Sequence, residues 1–442
     1  MSRTIRLFRK NSRQHGFTLI EGMVTLFITV LIIVAMLALF DFTNKLTRVQ
    51  TQVADMQQEL RVSQSELARF ARMAGRGGLP LTLPNRQLPT GLAFSARDQV
   101  PVNEFIAPGD NTTPAVVAGT DVMTLRGVFS GSIYQINYDD PTQFVLRDGA
   151  AANVTKQPQI AVSGAVQICA TTAGGIPQNL AALRTLIASA TPIPEAMILT
   201  SALGDAIFGV VAFDPAASLP TSANCNTADT SQGVTLAFKV GTTGATNRED
   251  VYRSLSPAFN TFDPVSGAAN RLMPTLTSVA FIGIIEEYRY YIRNDGVTPF
   301  VPHLSRARFY PGTDVAYASD ATNLRLDLAD SIQDLQVAIG VDQDGDDTVA
   351  DNGDAGDEWL FNAAADTPAA AGWNTGRFGY VRVTTLARAE RQDPQYQAPE
   401  IGRVEDHVYV TAAAAATADP NSEQERMRRR KLARTMIRLR NI

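Results

Sequence analysis

Three groups of residues could do chemistry: a carboxylate set in an apolar run, a dense acidic segment, and two scattered histidines. Glu21 is the only ionisable group in Phe17 to Phe40, FTLIEGMVTLFITVLIIVAMLALF. A carboxylate in such a run costs about 2.5 to 3.5 kcal/mol in a bilayer, so a partner is the default expectation. No Lys, Arg or His lies between Phe17 and Thr43, and the partner charge is therefore expected from outside this helix. In VDQDGDDTVADNGDAGDEW, Asp342, Asp344 and Asp346 alternate along a loop, the spacing of oxygen ligands that a hard Ca²⁺ ion needs. The segment departs from a standard calcium loop in two places: Asp347 replaces the turn glycine, and Gly353 stands where the bidentate Glu belongs. A solvated acidic loop held open by self-repulsion is the other reading, and the favoured one. Ca²⁺ at this loop is the one cofactor the sequence suggests, and only on the first reading. His303 and His407 are isolated, and G-x-S-x-G, H-E-x-x-H and Walker A motifs are absent, so the common hydrolase, zinc-protease and P-loop chemistries lack their parts. The chain is not expected to be an enzyme.

The elements that position these groups begin with a membrane helix. Residues 17–40 would span about 36 Å as a helix, enough for a hydrocarbon core of about 30 Å. Upstream, residues 1–16 carry Arg3, Arg6, Arg9, Lys10 and Arg13 without an acidic residue, which predicts a cytoplasmic N-terminus and an exported remainder. Helical character continues. Leu46, Val49, Val53, Met56, Leu60, Ser63, Leu67 and Phe70 recur at spacings of three and four, a narrow stripe that is apolar except at Ser63. A head packed along that stripe is favoured over a homodimeric coiled coil, the rival reading of the same spacing. No proline interrupts residues 17–74, and GRGGLP at 75–80 supplies the stop.

The leader ending at Gly16, followed by Phe17, Thr18, Leu19, Ile20 and Glu21, resembles the class III signal of type IV prepilins and pseudopilins. The resemblance implies cleavage after Gly16 by a prepilin peptidase, N-methylation of Phe17, and pairing of Glu21 with the terminal amine of an adjacent subunit. Further on, EEYRYYIR, IQDLQVAIGVDQDGDD, YVRVTTLARAE and the closing RRRKLARTMIRLRN resemble the PilW-type minor pilins in order and spacing. That family implies an α+β pilin fold, in which an antiparallel sheet lies on the second half of the long helix. It implies as partners other minor and major pilins and an inner-membrane assembly platform, with the mature subunit passing from the inner membrane to the pilus. The expected function is assembly: a minor pilin in the initiation or tip complex of a type IV pilus. A J-type pseudopilin of a type II secretion system is the alternative, and a tip adhesin or DNA receptor acting through an insert is a third reading.

The expected organisation is a cleaved leader at 1–16, a long helix at 17–74 and a β-rich head at 75–442, with an insert at about 81–275. Within the head, 281–293, 324–342 and 378–390 read as long strands, and 179–189 as a helix. Net charge is −5 over 442 residues; without the five basic leader residues it is −10, which disfavours nonspecific nucleic-acid binding over most of the surface. Cys169 and Cys225, the only cysteines, fall in the part expected to be exported, and a disulfide between them is predicted. The last 17 residues hold Arg426, Arg428, Arg429, Arg430, Lys431, Arg434, Arg438 and Arg440. Such density could contact phosphates, but no aromatic residue is interleaved for base stacking, and a solvated strand edge is favoured.

Overall fold

The computed structural model describes residues 18–79, 81, 92–101, 116–130, 133–135, 144–148, 164–170, 195–201, 208–220, 233–239, 279–294, 301–313, 317, 325–352, 357–364, 366, 377–415 and 419–439. Two compact units divide the chain, Met1–Asp55 and Met56–Ile442, and helix α1, Leu19–Met73, contributes to both. In the first unit the large apolar side chains from Leu19 to Phe42 are all exposed. Among the described residues α1 is the one helix long and apolar enough to cross a membrane. A helix apolar on every face must be covered by lipid or by other helices.

In the second unit the predicted stripe is the buried face of α1: Met56, Leu60, Ser63, Leu67 and Phe70 are buried, together with Ala71. Ser63, its one polar member, donates its hydroxyl to the Leu60 carbonyl at 2.9 Å, which satisfies it without a partner element. The helix stops where the glycines begin. Gly75 has φ +82°, and a Cβ there would stand 2.6 Å from the Leu79 carbonyl oxygen. Only glycine takes that conformation cheaply.

Among the described residues eighteen strands and one further short helix follow, in chain order: β1 Phe94–Arg97, β2 Val122–Gly127, β3 Tyr134–Gln135, β4 Phe144–Asp148, β5 Gly164–Ala170, β6 Glu195–Ser201, β7 Phe208–Pro220, β8 Gly233–Lys239, β9 Val279–Ile284, β10 Glu286–Asn294, β11 Pro302–Phe309, β12 Arg325–Asp330, β13 Ile332–Asp342, β14 Trp359–Leu360, β15 Arg377–Arg388, β16 Arg403–Val404, β17 His407–Val408, α2 Glu423–Arg426 and β18 Arg430–Arg438. Every pairing among them is antiparallel. They form a five-stranded sheet in the order β1-β2-β10-β11-β12, a four-stranded sheet β14-β13-β15-β18, a ribbon β16-β17, and a seven-stranded sheet β3-β9-β6-β7-β8-β5-β4. The α+β class expected from the sequence is the class observed. One core cluster holds Leu60, Leu67 and Phe70 of α1 with Met123 and Tyr290 of the five-stranded sheet and Val337, Val383 and Ile437 of the four-stranded sheet.

The structure departs from the sequence reading at three places. The run 324–342 is two strands in two sheets, because Ser331 adopts φ +58° between β12 and β13. The run 281–293 likewise leaves the seven-stranded sheet after Ile284 and enters the five-stranded sheet at Glu286. The insert is also narrower at its start than 81: β1 and β2 belong to the five-stranded sheet, and the seven-stranded sheet is built from residues between β2 and β10. Period-two patterning marks strands but carries no mark of a change of sheet, which explains all three. The helix expected at 179–189 lies outside the described residues.

A carboxylate joins the two sheets that hold α1. Asp121, just before β2, donates its N–H to the Leu335 carbonyl and accepts from the N–H groups of Val337 at 2.7 Å and Gln99 at 3.0 Å. Asp98 is hydrogen-bonded to both Asp121 and Asp406, and Asp366 and His407 lie near enough to act on it through their charge. Burial pushes Asp98 and Asp121 above the usual carboxylate range. Burial and the Asp98 carboxylate push Asp406 up to about 8. Between the unfolded value of 3.8 and about 8, the folded chain therefore keeps a proton at Asp406 that the unfolded chain releases, so this group's contribution to stability falls as pH rises through that window. Asp406→Asn should raise the unfolding midpoint relative to the parent chain, with a gap that is small near pH 5 and wider at pH 8. Thermal melts of both proteins in detergent micelles at the two pH values measure it, and a gap independent of pH would show Asp406 to be ionised in the folded state.

Candidate assembly site

Glu21 sits in the first turn of α1, and Thr18 is the residue before the helix begins. The Thr18 hydroxyl accepts from the Glu21 N–H at 3.3 Å, while Glu21 Oε2 accepts from the Thr18 N–H and the Thr18 hydroxyl, both at 3.0 Å. The pair is a capping box, T-x-x-E, in which each residue satisfies a backbone N–H of the other. The expectation from the sequence is of a partner charge, which the neutral Thr18 does not supply. The carboxylate's hydrogen bonds are local, although none of them comes from a cation. The sequence carried the signal in Thr18-Leu19-Ile20-Glu21, where threonine and glutamate stand three apart at the start of an apolar run.

The other hydroxyls of this half-helix are satisfied in the same internal manner. Thr25 donates to the Glu21 carbonyl at 2.7 Å and Thr29 to the Thr25 carbonyl at 2.8 Å, and Thr43, Thr47 and Thr51 repeat the pattern four residues back. An apolar surrounding tolerates hydroxyls bonded this way, because no donor is left for water to satisfy. The charge of Glu21 is the group that this scheme leaves uncompensated. Gly16 and Phe17 lie outside the described residues.

The acidic loop hangs from the end of β13. Asp342 is buried and accepts from the N–H groups of Gly345 at 2.6 Å and Asp347 at 3.0 Å. Glu358 accepts from Gln343 N–H at 2.8 Å with one oxygen and from Ala350 N–H at 2.7 Å with the other. One oxygen each of Asp342, Asp344 and Glu358 lies within 4.8 Å of the others, and these are the described residues that could hold a metal ion. Asp346 is not in that group: it accepts from the Thr348 hydroxyl and N–H, both at 2.7 Å, and those bonds hold its carboxyl below the usual range. Glu358 lies beyond the twelve-residue frame of a calcium loop, and only the fold of the loop brings it back to Asp342.

The remaining candidates are tied into structure. His303 bonds Asp330 at 2.6 Å, and His407 stacks on Tyr409 at 4.2 Å between ring centres, with Asp334 and Gln336 beside its Nδ1. Of the eight basic residues near the C-terminus, Arg426, Arg428, Arg429, Arg430 and Arg434 hold carboxylates or backbone carbonyls of the head. Arg440 lies outside the described residues, so the density read from the sequence is largely spent on internal bonds. The Cys169–Cys225 pairing cannot be placed: Cys169 falls on β5 with its side chain outside the description, and Cys225 lies wholly outside it.

Residues 11–37 match the prokaryotic N-terminal methylation motif, and residues 289–441 match the family described as type IV pilus-assembly protein W. No curated protein and no solved structure matches the chain. The first match covers the cleavage region, the capping box and the start of the apolar run; the second runs from within β10 to beyond β18. The family is one of structural pilus subunits rather than known enzymes, and the motif implies processing by a prepilin peptidase, association with other pilins and a single-pass membrane anchor. The methylation motif on an apolar helix, joined in one chain to a region similar to PilW and its antiparallel sheets, supports a type IV pilus minor pilin of the PilW type.

Proposed function

We propose that the chain enters the inner membrane with its basic leader in the cytoplasm and its head in the periplasm, is cut after Gly16, and joins the initiation or tip complex of a type IV pilus. The observation that carries this reading is Glu21, whose carboxylate is hydrogen-bonded by Thr18 yet meets no cation among the described residues of its helix. A neighbour's new amine at Phe17 would supply that charge, and the cost of about 2.5 to 3.5 kcal/mol for a carboxylate in lipid then favours departure into a filament. Gly16→Ala should leave the leader attached. Glu21→Ala should insert at least as well as the parent and yet be absent from sheared pili. N-terminal sequencing and immunoblots of membrane and pilus fractions measure both; a Gly16→Ala chain that still begins at Phe17, or a Glu21→Ala chain that enters pili normally, would sink the reading.

A second role, ligand binding at the pilus tip, draws support from the seven-stranded sheet, because that sheet is inserted between two strands that pair with each other. Replacing residues 133–283 by a short turn separates the roles. Unchanged pilus number with lost adhesion or DNA uptake supports a receptor; lost pili place the insert in assembly. For the acidic loop one measurement suffices. Calcium titrated into the full chain in micelles gives heat and raises the melting midpoint if Asp342, Asp344 and Glu358 ligate the ion, and gives neither if the loop is only solvated.

A further inference from the structure

β18 is the outer strand of the four-stranded sheet, and among the described residues nothing pairs with its far side. The phase of its ladder follows from two bonds at its ends: the Leu439 N–H donates to the Gly379 carbonyl, and the Ala389 N–H to the Arg429 carbonyl. Hydrogen-bonded pairs alternate along an antiparallel ladder, so the odd-numbered residues of β18 bond β15 and the backbone groups of Leu432, Arg434 and Met436 point to the open edge. The side chains beside that edge are mixed. Leu432 and Met436 are 43% and 57% exposed, with Arg434 between them on the same face, while Lys431 lies on the other. On the helix side a cleft of about 190 Å³ is lined by Gln57, Leu60, Arg61, Gln64, Lys431 and Ala433, so its two charged walls are both basic.

We propose that the open edge of β18 is a docking strand for an extended, carboxylate-bearing segment of another protein. The backbone groups of Leu432, Arg434 and Met436 would supply ladder bonds, Arg61 and Lys431 would receive carboxylates at the cleft, and Leu432 and Met436 would pack apolar side chains on the opposite face. Charge selects this occupant over a second copy. In the two-fold register centred on Arg434, a copy would set Arg434 against Arg434 and Arg430 against Arg438, and like charges directly opposite are destabilising. Basic residues on an edge thus deter self-pairing while admitting an acidic strand.

The test uses the full-length chain in detergent micelles and three short blocked peptides: alternating Glu and Val, alternating Lys and Val, and the Glu-Val peptide N-methylated at every residue. The Glu-Val peptide should bind at low salt and protect the Leu432, Arg434 and Met436 amides from hydrogen exchange, and the other two should not. Leu432→Pro removes an open-edge N–H without touching the β15 ladder and should weaken binding roughly tenfold. Lys431→Glu should shift preference toward the Lys-Val peptide. Equal binding by the N-methylated peptide, absence of protection on β18, or protection that appears with protein concentration alone would each overturn the proposal. None of these readouts depends on Gly16 or Glu21, so its failure and that of the assembly reading are distinguishable.

Discussion

One helix must satisfy two surroundings, and the rest of the structure follows from how it does so. The first part of α1 is apolar on all sides and offers nothing for water to bond; the second is polar except along the stripe from Met56 to Phe70. A buried hydroxyl or N–H without a partner costs about 1 to 3 kcal/mol, and the apolar part holds several threonine hydroxyls that need one. Each described threonine there answers the problem locally by returning its hydroxyl to the preceding turn, and Thr18 and Glu21 close the helix start against each other. The backbone and hydroxyls are thereby made independent of any partner. What is left is a single negative charge, and a charge, unlike a hydroxyl, is not neutralised by a hydrogen bond.

In the head, carboxylates with arginines on two sides do comparable work. Glu287 is fully buried between Arg126 at 2.6 Å and Arg289 at 2.8 Å and also accepts the Gly312 N–H; the two guanidinium charges and that N–H outweigh the upward pull of burial and hold its carboxyl below the usual range. Glu405 meets Arg382, Arg434 and the Thr384 hydroxyl, and Glu425 meets Arg388 and Arg428. Desolvating such groups costs several kcal/mol per ion, which the mutual attraction offsets only when every lone pair is used. Their value is positional. Glu405 lies in the turn of the β16-β17 ribbon and Glu425 in α2, so these groups fasten short elements, which bury little apolar area of their own, to β15 and β18.

Length and apolar character make the first part of the helix legible, and periodicity the second, because burial of one face at 3.6 residues per turn leaves a record in the side chains: Met56, Leu60, Leu67 and Phe70 all fall on the apolar stripe and are all buried. Strands were legible as strands for the same reason, and Ile437 and Leu439 are buried as alternation required. The division of one run between two sheets was not, since Ser331 at φ +58° and the switch at Ile285 depend on which neighbours pair, not on the residues' own pattern. At the candidate site, Glu21 stands out by its charge, whereas its hydrogen-bond partner Thr18 is neutral and shows only through the T-x-x-E spacing. Glu358 could not be placed with Asp342 and Asp344 until the loop closed, and the arginines of the tail could be counted but not assigned to Glu405, Glu425 and Asp393.

The position of the inserted sheet has a physical explanation. β2 ends at Gly127 and β10 begins at Glu286, and these two residues face each other in the ladder. The 158 residues between them are therefore, in topology, the loop of a hairpin. Closing a longer loop costs only about 0.6 kcal/mol per doubling, so growth from a short turn to this length costs about 3 kcal/mol in chain entropy. Glu286 offsets part of that at the neck. Its buried carboxylate accepts from the N–H groups of Phe129 at 2.9 Å and Ser130 at 2.6 Å and from the Ser130 hydroxyl at 2.6 Å, with Arg308 at 3.3 Å. The clasp binds the outgoing strand to the first residue of the returning one, which lets the five-stranded sheet keep its register whatever the insert does.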